Sequence, residues 1–380
     1  MRISAVRFVL ALISLSLVCV GWAQHGLDVF EKELTERQKR LGFPGVNIAV
    51  VWKDGRTRTI STGSFEAGSS KSLKPTDRML AGSIGKTFVA AAFLQVAKEQ
   101  KLDLDAKVAT VLGERDWYPE IPNAAELTFR HLMTHTSGIP EHVQSKEFTA
   151  MVEKDPAKVW KYEDLLSVTR KAAPLARAGE RFSYADTNYI VLGLALEKLA
   201  GKPMYKLVEE RFLKPLKLDR TMPSDKPTIP DLAVGTATFG PFFARGPMVR
   251  DGKMIFNPQM EWCGGGFAST ALDLAKWASA LYGGNALAPE LRAAMLKGVP
   301  AGPLGEYGLG VQIRQSPVGL SYGHGGWFPG WLSEMEYFPE HGFAVAVQFN
   351  TDNMRQIGKS THGYVVEIAQ AVLAKQAISP

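Results

Sequence analysis

Gly82-Ser83-Ile84-Gly85-Lys86-Thr87 runs directly into Phe88-Val89-Ala90-Ala91-Ala92-Phe93-Leu94. The second half is apolar at every position, so a helix over Thr87–Gln100 must be buried on all sides at its start. A serine at the mouth of such a helix has an N–H with no intrahelical partner and lies at the positive end of the macrodipole. The residue three positions on shares its face, and that residue is Lys86. A lysine kept from water beside a hydroxyl has its neutral amine favoured and can take the serine's proton. Taken alone, Ser-x-x-Lys describes equally an N-cap serine followed by a surface lysine. Gly85-Lys86-Thr87 also matches the end of a phosphate-binding loop. That motif requires glycine where Leu80 stands and a buried strand where the polar, proline-containing segment Lys74–Arg78 stands.

Upstream of this stretch, Val46–Trp52 is a β-branched run, Asp54-Gly55 is a hairpin signal, and Arg56–Thr62 alternates like a half-exposed strand. Leu27, Phe30, Leu34 and Leu41 recur at helical spacing before Gly42, Pro44 and Gly45. At the other end, Tyr307–Arg314, Leu332–Phe338 and Phe343–Phe349 read as strands, the last two joined by a turn at Pro339–Gly342, and a helix follows toward Leu373. Between the two ends the spacing predicts helices over Lys158–Ala173, Tyr189–Ala200, Tyr205–Leu213 and Leu272–Leu281. Strands at both ends with helices between them imply an α/β chain of the α+β type. One antiparallel sheet is drawn from both termini, and a mainly helical lobe is inserted into it with a cleft between.

Residues Met1–Ala23 carry Arg2 and Arg7, an apolar run Phe8–Val20, and Gly21-Trp22-Ala23, the pattern of a secretory leader cut before Gln24. The remainder, 24–380, is expected to form one catalytic domain, with a sheet lobe over 24–82 and 290–380 and a helical lobe over 83–289. The leader holds two of the 44 basic residues and no acidic one, so the mature chain bears +4. That mild charge, with no basic run interleaved with aromatics, excludes nucleic acid as a partner. No apolar run after the leader is long enough to span a bilayer. Cleavage also removes Cys19 and leaves Cys263 alone, so no intrachain disulfide forms. The oligomeric state is not legible.

Three further segments recur in order. Leu127-Thr128-Phe129-Arg130-His131-Leu132-Met133-Thr134-His135-Thr136-Ser137-Gly138 contains two histidines four apart, a zinc-like spacing. No glutamate adjoins His131 and no third ligand is evident, so both histidines are assigned to packing and hydrogen bonding. Phe182-Ser183-Tyr184-Ala185-Asp186-Thr187-Asn188-Tyr189 precedes a helix, and Tyr322-Gly323-His324-Gly325-Gly326-Trp327 is a glycine-rich strand. With Gly264-Gly265-Gly266-Phe267-Ala268-Ser269-Thr270, these segments make the chain resemble the serine β-lactamase-like hydrolases. That group holds class C β-lactamases, D-alanyl-D-alanine carboxypeptidases, D-aminopeptidases and related esterases. The Gly-x-Ser-x-Gly elbow of α/β-hydrolases is absent around Ser83.

The resemblance implies a β-lactamase/transpeptidase-like fold and a covalent acyl-enzyme on Ser83, with Lys86 and Tyr184 moving its proton and no metal or organic cofactor needed. It also implies an oxyanion hole from the N–H groups of Ser83 and Trp327, with Asp186, His324, Gly325 and Gly326 lining the substrate site. Two positions depart from the pattern. Asp186 stands for the usual asparagine and cannot donate an amide hydrogen bond to substrate. His324 replaces a fixed positive charge with a titratable one.

Trp327, Phe328, Trp331, Phe242 and Phe243 are either an apolar lining of the cleft or packing between its lobes. The expected function is hydrolysis of an amide or ester by an exported enzyme, periplasmic or secreted. The substrate is expected to be a D-amino-acid-containing peptide, in carboxypeptidase or aminopeptidase fashion, or a small ester. The alternatives are a class C-like β-lactamase and a non-hydrolysing protein that binds penicillin or cell-wall fragments.

Overall fold

The computed structural model describes residues 25–238 and 245–374. The leader, Cys19, Phe242 and Phe243 lie outside the described residues.

The chain opens with helix α1 (25–41), then β1 (Gly45–Trp52) and β2 (Thr57–Gly63), joined by a turn in which Gly55 has φ +86°. Near the other end, β3 (Val299–Pro300), β4 (Glu306–Tyr307), β5 (Gln312–Ser316), β6 (Gly319–Phe328), β7 (Trp331–Phe338) and β8 (Phe343–Phe349) follow one another. All eight form one antiparallel sheet in the order β3-β4-β5-β6-β7-β8-β1-β2. The two chain ends meet where β1 pairs with β8, Val46 opposite Phe349 and Trp52 opposite Phe343.

Side chains alternate across the sheet, and both faces are buried. Val46, Ile48, Val50, Val345 and Val347 face α1 and the last helix, α5 (Thr361–Leu373). Those two helices are tied by a bidentate pair between Arg37 and Glu367 at 2.8 and 2.7 Å. Ala49, Met335, Ala344 and Ala346 face a second, larger core shared with α2 (Gly85–Glu99), α3 (Asp186–Ala200) and α4 (Ala271–Ala278). The opening turns of α2 are buried as their composition requires. Phe88 stacks on Trp277 at 4.2 Å between ring centroids, and Trp277 Nε1 donates to Thr87 Oγ1 at 2.8 Å.

Two expected elements form differently. The helix expected over Lys158–Ala173 contracts to one 3-10 turn, Tyr162–Leu166. Trp160 N–H donates to Gln259 Oε1 and Asn257 Nδ2 to Lys158 O, so tertiary bonds hold the segment's first residues extended. Its far end breaks at Lys171, where φ is +61°. Tyr307–Arg314 is a hairpin rather than one strand, because Gly308-Leu309-Gly310 reverses the chain and Tyr307 pairs with Gln312. The segments expected to be helical over Tyr205–Leu213 and Leu272–Leu281 each end in a π turn, Glu209–Leu213 and Ser279–Gly283. Among the described residues no helix is long and apolar enough to cross a membrane.

Candidate active site

Ser83 lies in a 3-10 turn, Gly82–Ile84, which leads into α2 and packs against the end of β6. The approach is possible only because glycines face each other. Gly82 has φ +54°, and a β-carbon there would stand 2.7 Å from both the nitrogen and the oxygen of Trp327. One on Gly326 would collide with the carbonyl of Ala81. Strand β5 pairs with β6 only as far as Gly323, so the edge of β6 beyond it is open toward Ser83. Gly325 N–H points to that edge, donating to Gln312 Oε1 at 3.1 Å. Strand alternation turns Trp327 N–H the same way. The N–H of Ser83 sits at the unpaired start of its helix, so two backbone donors converge beside a half-buried hydroxyl.

Lys86 is fully buried, and its Nζ meets three acceptors. Ser83 Oγ is at 2.9 Å, Asp186 Oδ1 at 2.5 Å, and the carbonyl of Gly264 supplies a third, short contact. Burial works against its charge, but Asp186 and Tyr184 outweigh burial and hold the ammonium above the ordinary lysine value. Reasoning from burial alone predicts a neutral amine. The carboxylate of Asp186 reverses that expectation.

Tyr184 Oη is buried without a hydrogen-bond partner among the described residues, and its ring lies 5.0 Å from Lys86 Nζ. Burial pushes this phenol up to about 12, against the pull of Lys86, so it stands protonated beside Ser83 and Lys86. Asp186 opens α3, and its own N–H donates to Glu141 Oε2 at 2.7 Å.

His324 is buried, 1% exposed, and does not present a titratable charge. Ala185 N–H donates to His135 Nδ1 at 3.2 Å, so His135 Nε2 carries the proton and donates to Tyr307 Oη at 3.2 Å. Tyr307 in turn donates to His324 Nε2 at 2.8 Å, and His324 Nδ1–H donates to Gly325 O at 2.6 Å. Every link fixes the next, and both rings are neutral. Burial, reinforced by Lys86, lowers His324 to about 3 and His135 well below the usual value. A charged His324 next to Lys86 would be an unpaired buried cation. His131 does other work: its N–H and Nδ1 close a capping box with Thr128 at the start of helix Phe129–Met133.

A pocket opens at Asp186, the partner of Lys86, walled by His142, Phe148, Met260, Trp327 and Phe328, with Asp186 and Glu261 as its acids. Among the described residues no lysine or arginine lines it. Trp327 and Phe328 therefore belong to the lining, whereas Trp331 is fully buried and donates to Ala233 O at 3.1 Å as packing. Among the described residues Glu261 Oε2 is buried without a hydrogen-bond partner. Burial holds this carboxyl well above the usual range, with Asp186 adding to the push and Lys86 opposing it.

The sequence motifs missed Glu141, Glu261, the Gly264 carbonyl and the bridging role of Tyr307. Glu261 had one available signal, an acid placed directly before the uncharged run Trp262–Thr270.

Comparison with known proteins agrees with this architecture. The chain is similar to a D-aminopeptidase of Brucella anthropi, 23% identical over 329 residues, which cover 85% of this chain and 59% of that relative. It thus spans about three fifths of that relative's length. A D-stereospecific amidohydrolase from Streptomyces sp. superposes with a TM-score of 0.74 at 27% identity, over 86% of this chain and 96% of that one. A penicillin-binding protein from Bacillus halodurans shares the fold at 21% identity, TM-score 0.71, over 90% of this chain and 99% of the other. The family model described as Beta-lactamase matches residues 30–370, and the chain belongs to that family of serine-hydrolase fold.

Proposed function

We propose that the chain hydrolyses an amide or ester through an acyl-enzyme on Ser83, and that its substrate carries an amine rather than a carboxylate near the scissile bond. The observation that carries this reading is the composition of the pocket. Asp186 and Glu261 line it, among the described residues no lysine or arginine does, and the Lys86 ammonium is already paired with Asp186. A carboxylate-bearing substrate, as carboxypeptidases and β-lactamases take, would find no lysine or arginine free to receive it, whereas an ammonium would give the buried Glu261 a partner. The similarity to proteins named a D-aminopeptidase and a D-stereospecific amidohydrolase supports an N-terminal D-amino acid amide or peptide over a small neutral ester. The leader over Met1–Ala23 supports export to a periplasm or beyond.

In the first half-reaction Ser83 Oγ attacks the carbonyl carbon while its proton passes to the Lys86–Asp186 pair. The N–H groups of Ser83 and Trp327 hold the oxyanion. Tyr184 gives its phenolic proton to the leaving nitrogen and recovers one from Lys86, so the serine's proton departs with the leaving group. Water then repeats the attack, and Ser83 regains a proton by the same route.

The test is one panel on purified protein, wild type beside Ser83→Ala. It compares D- and L-amino-acid nitroanilides with a free amine, their N-acetylated forms, a chromogenic cephalosporin, and a D-alanyl-D-alanine peptide. The expected result is turnover of the free-amine D-anilides, lost in Ser83→Ala along with covalent labelling by a serine-directed phosphonate. Preference for the cephalosporin or the carboxylate peptide would overturn the substrate assignment, and equal labelling of both proteins would overturn the nucleophile.

A further inference from the structure

We infer that Asp186 is the resting place of the Ser83 proton, so that Lys86 serves as a relay between hydroxyl and carboxylate instead of as the terminal base. This inference deepens the mechanism above and rests on that reading of Ser83. It starts from a departure in sequence. The family pattern calls for an asparagine at this position, and an amide oxygen accepts a hydrogen bond without taking the proton.

The geometry supplies a continuous path. Ser83 Oγ, Lys86 Nζ and Asp186 Oδ1 are linked by contacts of 2.9 and 2.5 Å, and the Gly264 carbonyl holds the remaining Nζ–H. The same three contacts suit both ends of the transfer. An ammonium donates to all three acceptors. Once one Nζ–H has passed to Oδ1, rotation about the Cε–Nζ bond turns the lone pair of the amine to Ser83, so the transfer needs no displacement of the heavy atoms of the side chain. In the step, the Oγ–H bond breaks as an Nζ–H bond forms, a second Nζ–H bond breaks as Oδ1–H forms, and the Oγ electron pair goes to the substrate carbonyl carbon. Lys86 ends as it began, an ammonium. The proton leaves Asp186 by the reverse path, through Lys86 to the Tyr184 oxygen that protonated the leaving group.

The surroundings suit Asp186 as an acceptor. The charged and titratable groups facing it are Lys86 from α2, Tyr184 just before α3, Glu141 and His142 from the loop after Gly138, and Glu261 from the turn before Gly264. Burial, with Glu141, raises this carboxyl above its usual value against the pull of Lys86. A carboxyl raised in this way takes a proton more readily than a solvated aspartate does.

The experiment compares pH profiles of kcat/KM for wild type, Asp186→Asn and Asp186→Glu on the same D-amino-acid nitroanilide, with phosphonate labelling of Ser83 in each. In wild type the acid limb reports protonation of the carboxylate. With asparagine, the limb reports neutralisation of Lys86 itself and moves toward the amine range. The expected result is a limb at least ~1 pH unit higher in Asp186→Asn and activity at neutral pH lower by ~10-fold or more, recovering as the pH rises. Asp186→Glu should keep the wild-type limb. An unchanged limb in a folded, labelled Asp186→Asn protein would overturn the relay while leaving the nucleophile intact.

Nitrogen NMR of wild type carrying 15N at the lysine Nζ positions requires no variant. An ammonium signal for Lys86 at neutral pH is expected, and a neutral amine there would overturn the proposal. Loss of Ser83 labelling in wild type would instead overturn the underlying function.

Discussion

The Tyr307 hydroxyl lies 2.8 Å from His324 Nε2 and donates to it, which locks the imidazole behind the site strand as a neutral acceptor. In the unfolded chain this ring titrates near 6.5, and in the fold near 3. Between those values the unfolded state binds the extra proton. Stability is therefore complete above pH 6.5 and declines as the pH falls toward 3, by about 1.4 kcal/mol per pH unit from this ring. Urea unfolding at pH 7 and pH 5 should show this slope in wild type and one proton less of it in His324→Asn. The activity profile should carry no limb assignable to His324.

Tyr184→Phe separates chemistry from packing. Among the described residues the hydroxyl it removes meets no well-formed hydrogen bond, so the melting temperature should change little. Turnover of an amide should fall by ~100-fold or more, since the leaving nitrogen loses its acid. A parallel fall in stability would mean that the phenol serves the fold.

Gly326→Ala tests the close approach of helix and strand. A β-carbon there meets the Ala81 carbonyl, so the strand must draw away from the turn that carries Ser83. A displacement of about 1 Å costs on the order of 100-fold in rate. Phosphonate labelling and kcat should fall together, with KM changing less.

Behind β6, Arg314 bridges Glu334 at 2.7 Å and Glu336 at 3.1 Å, both carboxylates being almost wholly buried. Its other nitrogen donates to Gln312, the residue that accepts Gly325 N–H. Arg314→Met leaves the buried Glu334 without its cation and Glu336 with His362 alone, and should destabilise the protein by about 3–5 kcal/mol in chemical denaturation. Adding Glu334→Gln should recover part of that loss. The exposed Lys98–Glu290 pair should be removable with no change in melting temperature.

The sheet strands were legible because β-branched runs and turn residues speak locally, as in Val46–Trp52 with Asp54-Gly55. Ser83, Lys86, Tyr184 and Asp186 were legible as motif positions, and the structure brings all four together. The protonation of the site was not legible. Lys86 is charged because Asp186, a hundred residues later, lies 2.5 Å away, and His324 is neutral because Tyr307 and Gly325 consume its two nitrogens. Neither fact is a property of the residue's own segment. The 158–173 stretch failed for the same reason, its helical spacing yielding to hydrogen bonds from Asn257 and Gln259.

Strand β1 finds its inner neighbour only in β8, about three hundred residues later. A ribosome making this chain therefore releases a hairpin with one bare edge and a buried-type helix with nothing to bury it. The large sheet cannot close until residue 349 has emerged. Ser83 waits equally long, since the strand edge beside it is made almost last. Acquisition of activity should thus coincide with the final folding event, and growing or truncated chains should be inert and exposed to chaperones and proteases until then.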